Sequence, residues 1–279
     1  MKKIMGVIGY PIKHSLSPQM HSAVYDKLKL SMAYHAFEVR PDQLEIAIQG
    51  VRGLGLQGVN VTIPHKVEVM NYLDEIDGLA KEIGAVNTIV NVNGRLKGYN
   101  TDGEGYLRSL LAAMKEELSS KSVLMIGAGG ASKAVSLTLA KHGVKQIVIA
   151  NRTLAKAQEL QSSCSRFAAS SAMTIEEAEQ RLDEFDIIIN TTSIGMLPEI
   201  DAIPISLQRL KKGAFVSDLI YTPVQTKFLR EAEEMGAPTL NGVDMFVYQG
   251  ALAFEHWTNI EAPIDTMRNV VLKHLKGEK

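Results

Sequence analysis

The stretch SVLMIGAGGASKAVSLTLAKHG, which begins at Ser122, constrains the fold more than any other part of the chain. Its apolar opening reads as a buried strand, GAGGAS from Gly127 to Ser132 requires a tight turn, and the residues after it follow a helical pattern. A second apolar run, KQIVIANRT, comes directly afterwards. Strand, turn, helix and strand in this order make a right-handed crossover between parallel strands.

The alternation extends along the chain. IMGVIGYPI reads as a strand starting at residue 4, and SLSPQMHSAVYDKL as a helix with Ser17 as N-cap and Pro18 in the first helical position. YHAFEV and GVNVTIP are further strands, separated by the helical PDQLEIAIQGVRGLG and followed by the amphipathic KVEVMNYLDEI. Asn93-Gly94 supplies the dipeptide favoured in tight hairpins, and a helical pattern runs from Gly103 to about Ser119. Beyond the glycine turn, LAKAQELQSS and VQTKFLREAEEMGA read as helices, and FDIIINTTS and GAFVSDLIYTP as buried strands. The tail reads as two helices.

A chain of 279 residues suits two domains better than one. The pattern predicts an α/β protein with parallel sheets throughout. Residues 1–102 form an N-terminal α/β substrate domain, completed by C-terminal helices (241–279) that return to it. Residues 103–240 form a doubly wound, Rossmann-type dinucleotide-binding domain.

Composition removes several classes of function. A net charge of −1, with 22% charged and 46% hydrophobic residues, provides no global basic field for nucleic acid. The single cysteine, Cys164, allows no intrachain disulfide, and with seven scattered histidines it yields no metal-ligand set. No apolar stretch approaches the length of about 18 residues needed to span a membrane. MKKIMGVIGYPIKH imitates a secretory signal, but Pro11 and Lys13 interrupt it. The expectation is a cytoplasmic protein with no nucleic-acid or membrane partner and no metal. A homodimer is left open.

The end of the second strand of the glycine-turn unit indicates which dinucleotide is bound. An NAD-specific site places an acidic residue there for the ribose 2′-hydroxyl. This chain instead has Asn151, Arg152 and Thr153, with Lys156 one helical turn later. A carboxylate would repel a 2′-phosphate, whereas a guanidinium offers it a planar fork. NADP(H) is therefore the expected cofactor; the plainer alternative makes Arg152 and Lys156 ordinary surface charges.

Hydride transfer to a ketone needs a proton donor, and the reverse reaction needs a base. GVNVTIPHK delivers Lys66 and GYNTDG delivers Asp102, each just past the end of a strand-like run, and the two can serve as a proton-transfer pair. Attraction to Asp102 favours the ammonium and burial the neutral amine, so the resting state stays open from sequence. His65 is a lesser candidate for the base.

In order along the chain, SLSP, NVTIPHK, GAVNT, NTDG, GAGGAS, NRT, DLIYTP and VYQGALAFE together resemble the shikimate dehydrogenase family. The resemblance spans both domains. It implies reduction of 3-dehydroshikimate to shikimate with NADPH in aromatic amino-acid (chorismate) biosynthesis, with Lys66 as acid/base and Asp102 as its partner. It also implies substrate contacts at Ser15, Ser17, Thr62, Asn87, Asp102, Tyr221 and Gln249. Cofactor contacts follow at Gly127, Ala128, Gly129, Gly130, Ala131, Asn151, Arg152, Thr153, Lys156, Leu219 and Gly242. Two departures stand out: Ser132 replaces the third fingerprint glycine, and Lys156 occupies a position that is often arginine in relatives. NTTSIGM is expected near the cofactor, with no single contact named. Each site residue also has a structural reading: Ser17 or Asp102 as a helix cap, Thr62 as a strand residue, Asn87 and Gln249 as partners of buried backbone, and Tyr221 as a packing aromatic. The competing functions are a quinate-preferring or NAD-using dehydrogenase and a non-catalytic dinucleotide sensor.

Overall fold

A computed structural model describes residues 2–277. The chain forms two compact units, one running to Gly105 and resumed from Val247 onward, the other comprising Tyr106–Phe246.

The first unit begins with β1 (Lys3–Gly9), α1 (Ser17–Lys27), β2 (Met32–Glu38), α2 (Leu44–Gly53) and β3 (Gly58–Val61). It continues through β4 (Glu75–Ile76), α3 (Gly78–Ile83), β5 (Thr88–Val92) and β6 (Arg95–Tyr99). The strands lie in the order β2-β1-β3-β5-β6-β4. β1 is parallel to β2 and β3, but β5 is antiparallel to both β3 and β6. The expectation of parallel sheets throughout therefore fails here, and for the β5–β6 pair the hairpin explains why. Asn93 (φ 53°) and Gly94 (φ 85°) both take the left-handed conformation, which turns the chain straight back within two residues.

One local expectation also gives way, and one segment that the pattern leaves unassigned takes its shape. KVEVMNYLDEI, amphipathic in sequence, forms a 3-10 turn at Glu68–Tyr72 and the short β4. Asp74 draws this segment onto β6 by accepting from the Leu96 N–H at 2.6 Å, and Arg52 holds the Tyr72 carbonyl at 3.0 Å. Ser17 is the first residue of α1, not its cap. Leu16 occupies the cap position without a side-chain hydrogen bond, and Ser15 Oγ accepts from the Ser17 N–H at 3.3 Å.

The second unit follows α4 (Asp102–Met114), the helix within which the chain passes from one unit to the other. It comprises β7 (Ser122–Ile126), α5 (Gly130–His142), β8 (Gln146–Ala150), α6 (Leu154–Cys164), β9 (Ala169–Met173), α7 (Ile175–Gln180), β10 (Ile187–Asn190), β11 (Phe215–Asp218), α8 (Lys227–Glu234) and β12 (Thr239–Leu240). All its strands are parallel, in the order β12-β11-β10-β7-β8-β9. Leu124, Val148, Ile188, Val216 and Phe228 are fully buried in its core, as strands covered by helices require. β9 and α7 escape the sequence pattern because ASSAM is small and polar, with only Met173 buried.

α9 (Val243–Thr258) carries the chain back to the first unit, and α10 (Ile264–Leu275) lies against α1 there. Trp257 of α9 donates Nε1–H to the Ile89 carbonyl at 2.9 Å, fixing the helix on β5. Gly58 makes room for this: a Cβ there would stand 2.2 Å from both the indole nitrogen and the Ile89 oxygen. Among the described residues no helix is long and apolar enough to cross a membrane.

Candidate active site

Strand direction assembles the polar cluster of the first unit. β1 and β3 run parallel, so the loops after Gly9 and Val61 leave from the same edge of the sheet. β5 runs against β3, with Asn60 opposite Thr88, and this brings its first residues back to that edge. β6 ends there too, since Tyr99 faces Thr88. Lys66, Asn87 and Asp102 thus converge although they come from three separate segments.

Their geometry is specific. Lys66 Nζ donates to Asp102 Oδ2 at 2.6 Å, and Asn87 Nδ2 donates to Asp102 Oδ1 at 2.8 Å. The Lys66 and Asp102 side chains are 30% and 13% exposed, so the pair is half-sheltered yet open to a ligand. Asn87 is buried and held by several bonds: Nδ2 also reaches Thr101 Oγ1 at 2.9 Å, and Oδ1 accepts from the Thr101 N–H at 2.8 Å. Thr101 in turn donates Oγ1–H to the Gln249 carbonyl at 3.0 Å, which ties α9 to the cluster. Gly105 allows this approach, because a Cβ there would meet the Gln249 nitrogen at 2.7 Å. The Asp102 carboxylate is turned toward Lys66 and Asn87, and its own N–H is taken by Asn100 Oδ1 at 3.1 Å.

Three more of the named residues come just after strands that end at this edge, Ser17 as the first residue of α1. Ser15 and Ser17 follow β1, and half-buried Thr62 follows β3, its N–H bonded to the Ile8 carbonyl at 3.0 Å. A Cβ on Gly9 would stand 2.5 Å from the Thr62 methyl. His65 is buried and uses Nε2 on the Val39 carbonyl at 2.7 Å, so it anchors the loop that presents Lys66. Tyr221 belongs to the second unit, where it stacks on Phe246 with ring centroids 5.1 Å apart, and burial raises its phenol above the usual range.

In the second unit the glycine turn fits a dinucleotide. Gly127 has φ 109°, a left-handed value, and a Cβ on it would stand 2.7 Å from Thr191 Oγ1. Gly129 and Gly130 face open space, and they lead into α5, whose N-terminal N–H groups favour an anion. Ser132, in place of a third glycine, is buried and closes the turn by donating Oγ–H to the Gly127 carbonyl at 2.7 Å. Arg152, Thr153 and Lys156 are exposed just past the end of β8, beside half-buried Asn151, and no ion pair engages either cation among the described residues. Leu219 and Gly242 touch: a Cβ on Gly242 would lie 2.0 Å from the Leu219 oxygen. These features suit a pyrophosphate and a 2′-phosphate.

Sequence reading named no contact from two fully buried polar residues at the ends of neighbouring strands, Asn190 and Asp218. Burial lifts the Asp218 carboxyl to about 6, against hydrogen bonds from Ile220, Thr226 and Asn190 that lower it. NTTS and DLIYTP mark both positions, but only the strand register sets them side by side. Thr101 escaped notice for a similar reason, because its partners are distant in sequence.

Family models match most of the chain. Residues 7–89 match the shikimate dehydrogenase substrate binding domain, 109–218 the shikimate / quinate 5-dehydrogenase family, and 242–272 the shikimate 5'-dehydrogenase C-terminal domain. A shikimate dehydrogenase (NADP(+)) of Bacillus cereus is 52% identical over 277 residues, covering 99% of this chain and all of the relative. A shikimate dehydrogenase crystallised with NADP+ superposes with a TM-score of 0.91 at 42% identity, covering 98% of this chain and 96% of that one. The Thermus thermophilus shikimate 5-dehydrogenase, solved with NADP(H) and shikimate, gives a TM-score of 0.88 at 34% identity, covering 97% of this chain and 99% of that one. The chain belongs to the shikimate dehydrogenase family.

Proposed function

We propose that the protein catalyses the reversible, NADPH-dependent reduction of 3-dehydroshikimate to shikimate in the chorismate pathway to the aromatic amino acids. The observation that carries this reading is the 2.6 Å pairing of Lys66 with Asp102, within a family whose members bear that activity in their names. Residues 1–102 with 241–279 bind the acid substrate, and residues 103–240 bind NADP(H). The reading sets the reaction in the cytoplasm. Light scattering on the purified protein tells a monomer from a homodimer.

When bound, NADP(H) supplies or accepts the hydride at the carbon that interconverts between ketone and alcohol. Lys66 Nζ, as ammonium, gives a proton to the ketone oxygen in reduction; as amine, it takes the hydroxyl proton in oxidation. Asp102 holds the lysine in place, and Asn87 holds Asp102 through its second oxygen. Ser15, Ser17, Thr62, Asn87, Asp102, Tyr221 and Gln249 present hydroxyl, amide and carboxylate groups to the substrate's own hydroxyls and carboxylate. A site built on such hydrogen bonds rejects analogues that leave its polar groups unpaired. Gly127 to Ala131 receive the pyrophosphate, Asn151 to Thr153 and Lys156 the 2′-phosphate, and Leu219 and Gly242 the other half of the dinucleotide.

The test is direct. Purified protein given shikimate and NADP+ should generate NADPH absorbance, and no turnover under those conditions removes the reading. The match to a family described for both shikimate and quinate favours one second reading, a dehydrogenase for either acid. Comparing kcat/KM for both acids with NADP+ and NAD+ separates the two.

A further inference from the structure

The order β12-β11-β10-β7-β8-β9 has its switch point between β7 and β10, where the chain, having built outward through β8 and β9, returns to build the other way. A dinucleotide lies across such a point, over the carboxyl ends of the strands. With the 2′-phosphate end assigned to Arg152 after β8, the nicotinamide end falls on the other side, over β10 and β11. Asn190 and Asp218 are the last residues of those two strands, paired in register and fully buried.

Together they organise both loops that leave this edge. Asn190 Nδ2 donates to Asp218 Oδ1 at 3.1 Å and to the Ile194 carbonyl at 3.2 Å. Asn190 Oδ1 accepts from the N–H and the hydroxyl of Thr192, at 3.0 and 2.7 Å. Asp218 Oδ1 also accepts from the Ile220 N–H at 3.0 Å, and Oδ2 accepts from Thr226 Oγ1 at 2.8 Å. The Leu219 N–H goes to the Asn190 carbonyl, and the Gly242 N–H to the Ile220 carbonyl, each at 3.0 Å. Thr226 also caps α8, accepting from the Leu229 N–H.

The carboxylate has no cationic partner among these contacts, and a neutral amide would be cheaper to bury. An amide, however, has one acceptor oxygen where the carboxylate has two. With an amide at 218, Ile220 and Asn190 could keep the one oxygen, but Thr226 would meet an NH2 group and could no longer donate, so its hydroxyl and the loop it holds must turn. The charge is thus matched to the number of donors that fix the loops, and we propose that Asp218 and Asn190 are positioning residues that set loops 191–196 and 219–221 for the nicotinamide end of the cofactor. This rests on the dehydrogenase reading above.

The test is Asp218→Asn, compared with wild type for kcat with NADP+ and with NAD+, for KM of shikimate, and for the isotope effect with shikimate deuterated at the hydride-yielding carbon. The expected result is a folded variant with kcat down about tenfold or more, as small misplacements of reacting groups produce. The loss in kcat is equal for the two dinucleotides and exceeds any rise in the KM of shikimate, which Tyr221 in loop 219–221 would contribute, and the isotope effect grows as hydride transfer becomes limiting. A folded variant with wild-type kcat and isotope effect, or with a loss confined to the KM of shikimate, overturns the proposal. If Asp218→Asn does not fold, Thr226→Val decides: the same signature, restored by Thr226→Ser, supports it, and wild-type kinetics overturn it. If wild type fails to oxidise shikimate, the reading above falls separately, and the loops are judged with NADPH alone. Enhancement of nicotinamide fluorescence at saturation, diminished in Asp218→Asn, supports the positioning role. Equal enhancement, or no NADPH binding by wild type, overturns it.

Discussion

Lys66 Nζ and Asp102 Oδ2 are 2.6 Å apart, and the second oxygen of the same carboxylate is held by Asn87. The aspartate is therefore fixed from two sides before any substrate arrives, and the lysine has one defined partner. Lys66→Ala should lower kcat by on the order of 10²–10⁴-fold. Steady-state kinetics with shikimate and NADP+ measure it. A rise in KM at unchanged kcat would instead make Lys66 a binding residue.

Arg152 stands exposed past the end of β8, with no carboxylate paired to it among the described residues. Arg152→Ala should cut kcat/KM with NADP+ by roughly 10- to 100-fold, the scale of a lost charge-assisted hydrogen bond, and leave NAD+ nearly untouched. The ratio of the two kcat/KM values is the readout, and equal weakening of both refutes a 2′-phosphate role.

Two glycines separate the needs of the fold from those of the ligand. A Cβ on Gly242 would lie 2.0 Å from the Leu219 oxygen and 2.6 Å from its carbonyl carbon, so backbone must move. Gly242→Ala should cost about 1–3 kcal/mol, visible as a lower Tm without any ligand. A Cβ on Gly129 meets nothing within 4 Å, and φ −87° suits alanine. Gly129→Ala should keep its Tm and weaken NADPH binding, as titration of nicotinamide fluorescence can show. An unchanged NADPH affinity in that variant argues against a pyrophosphate at the turn.

These positions also show what a reader of the sequence can reach. The second unit was legible because parallel strands covered by helices are written as uninterrupted apolar runs, and GAGGAS and NRT sit at fixed places relative to them. The mixed sheet of the first unit was less so. Asn93-Gly94 announced the hairpin, but not that it would turn β5 against β3 and carry Asn87 and Asp102 to the edge that bears Lys66. KVEVMNYLDEI looked amphipathic because local periodicity cannot register Asp74 being captured by the Leu96 backbone. Asn190 and Asp218 form one network across 28 positions, and only strand register reveals it.

His21 is buried against Tyr34, its ring centroid 4.4 Å away in a stacked arrangement, and among the described residues neither ring nitrogen has a hydrogen-bond partner. Desolvation pulls the imidazole from 6.5 down to about 3. The folded protein therefore binds fewer protons here than the unfolded chain between those values. The contribution is full above 6.5 and is lost as pH falls toward 3, with on the order of 3 kcal/mol gone by about pH 4.5. His21→Phe should flatten the acid side of the stability profile. Urea unfolding at several pH values tests this, and a variant with the wild-type slope between pH 6.5 and 4.5 contradicts it.

Asp218 works with the opposite sign. Its carboxyl rises from 3.8 to about 6 because burial disfavours the charge, against the hydrogen bonds from Ile220, Thr226 and Asn190 that lower it. Between those values the folded state holds the proton more tightly than the unfolded chain. The stabilising contribution is full below 3.8 and lost as pH rises through 6, a difference on the order of 3 kcal/mol. Asp218→Asn cannot ionise, so, whatever constant cost the altered hydrogen bonds carry, its Tm relative to wild type should rise as pH goes from 4 to 8. The same substitution is expected to slow hydride transfer. Thermal unfolding of both proteins across that pH range decides the matter, and a Tm gap independent of pH would show that the Asp218 charge carries no such cost.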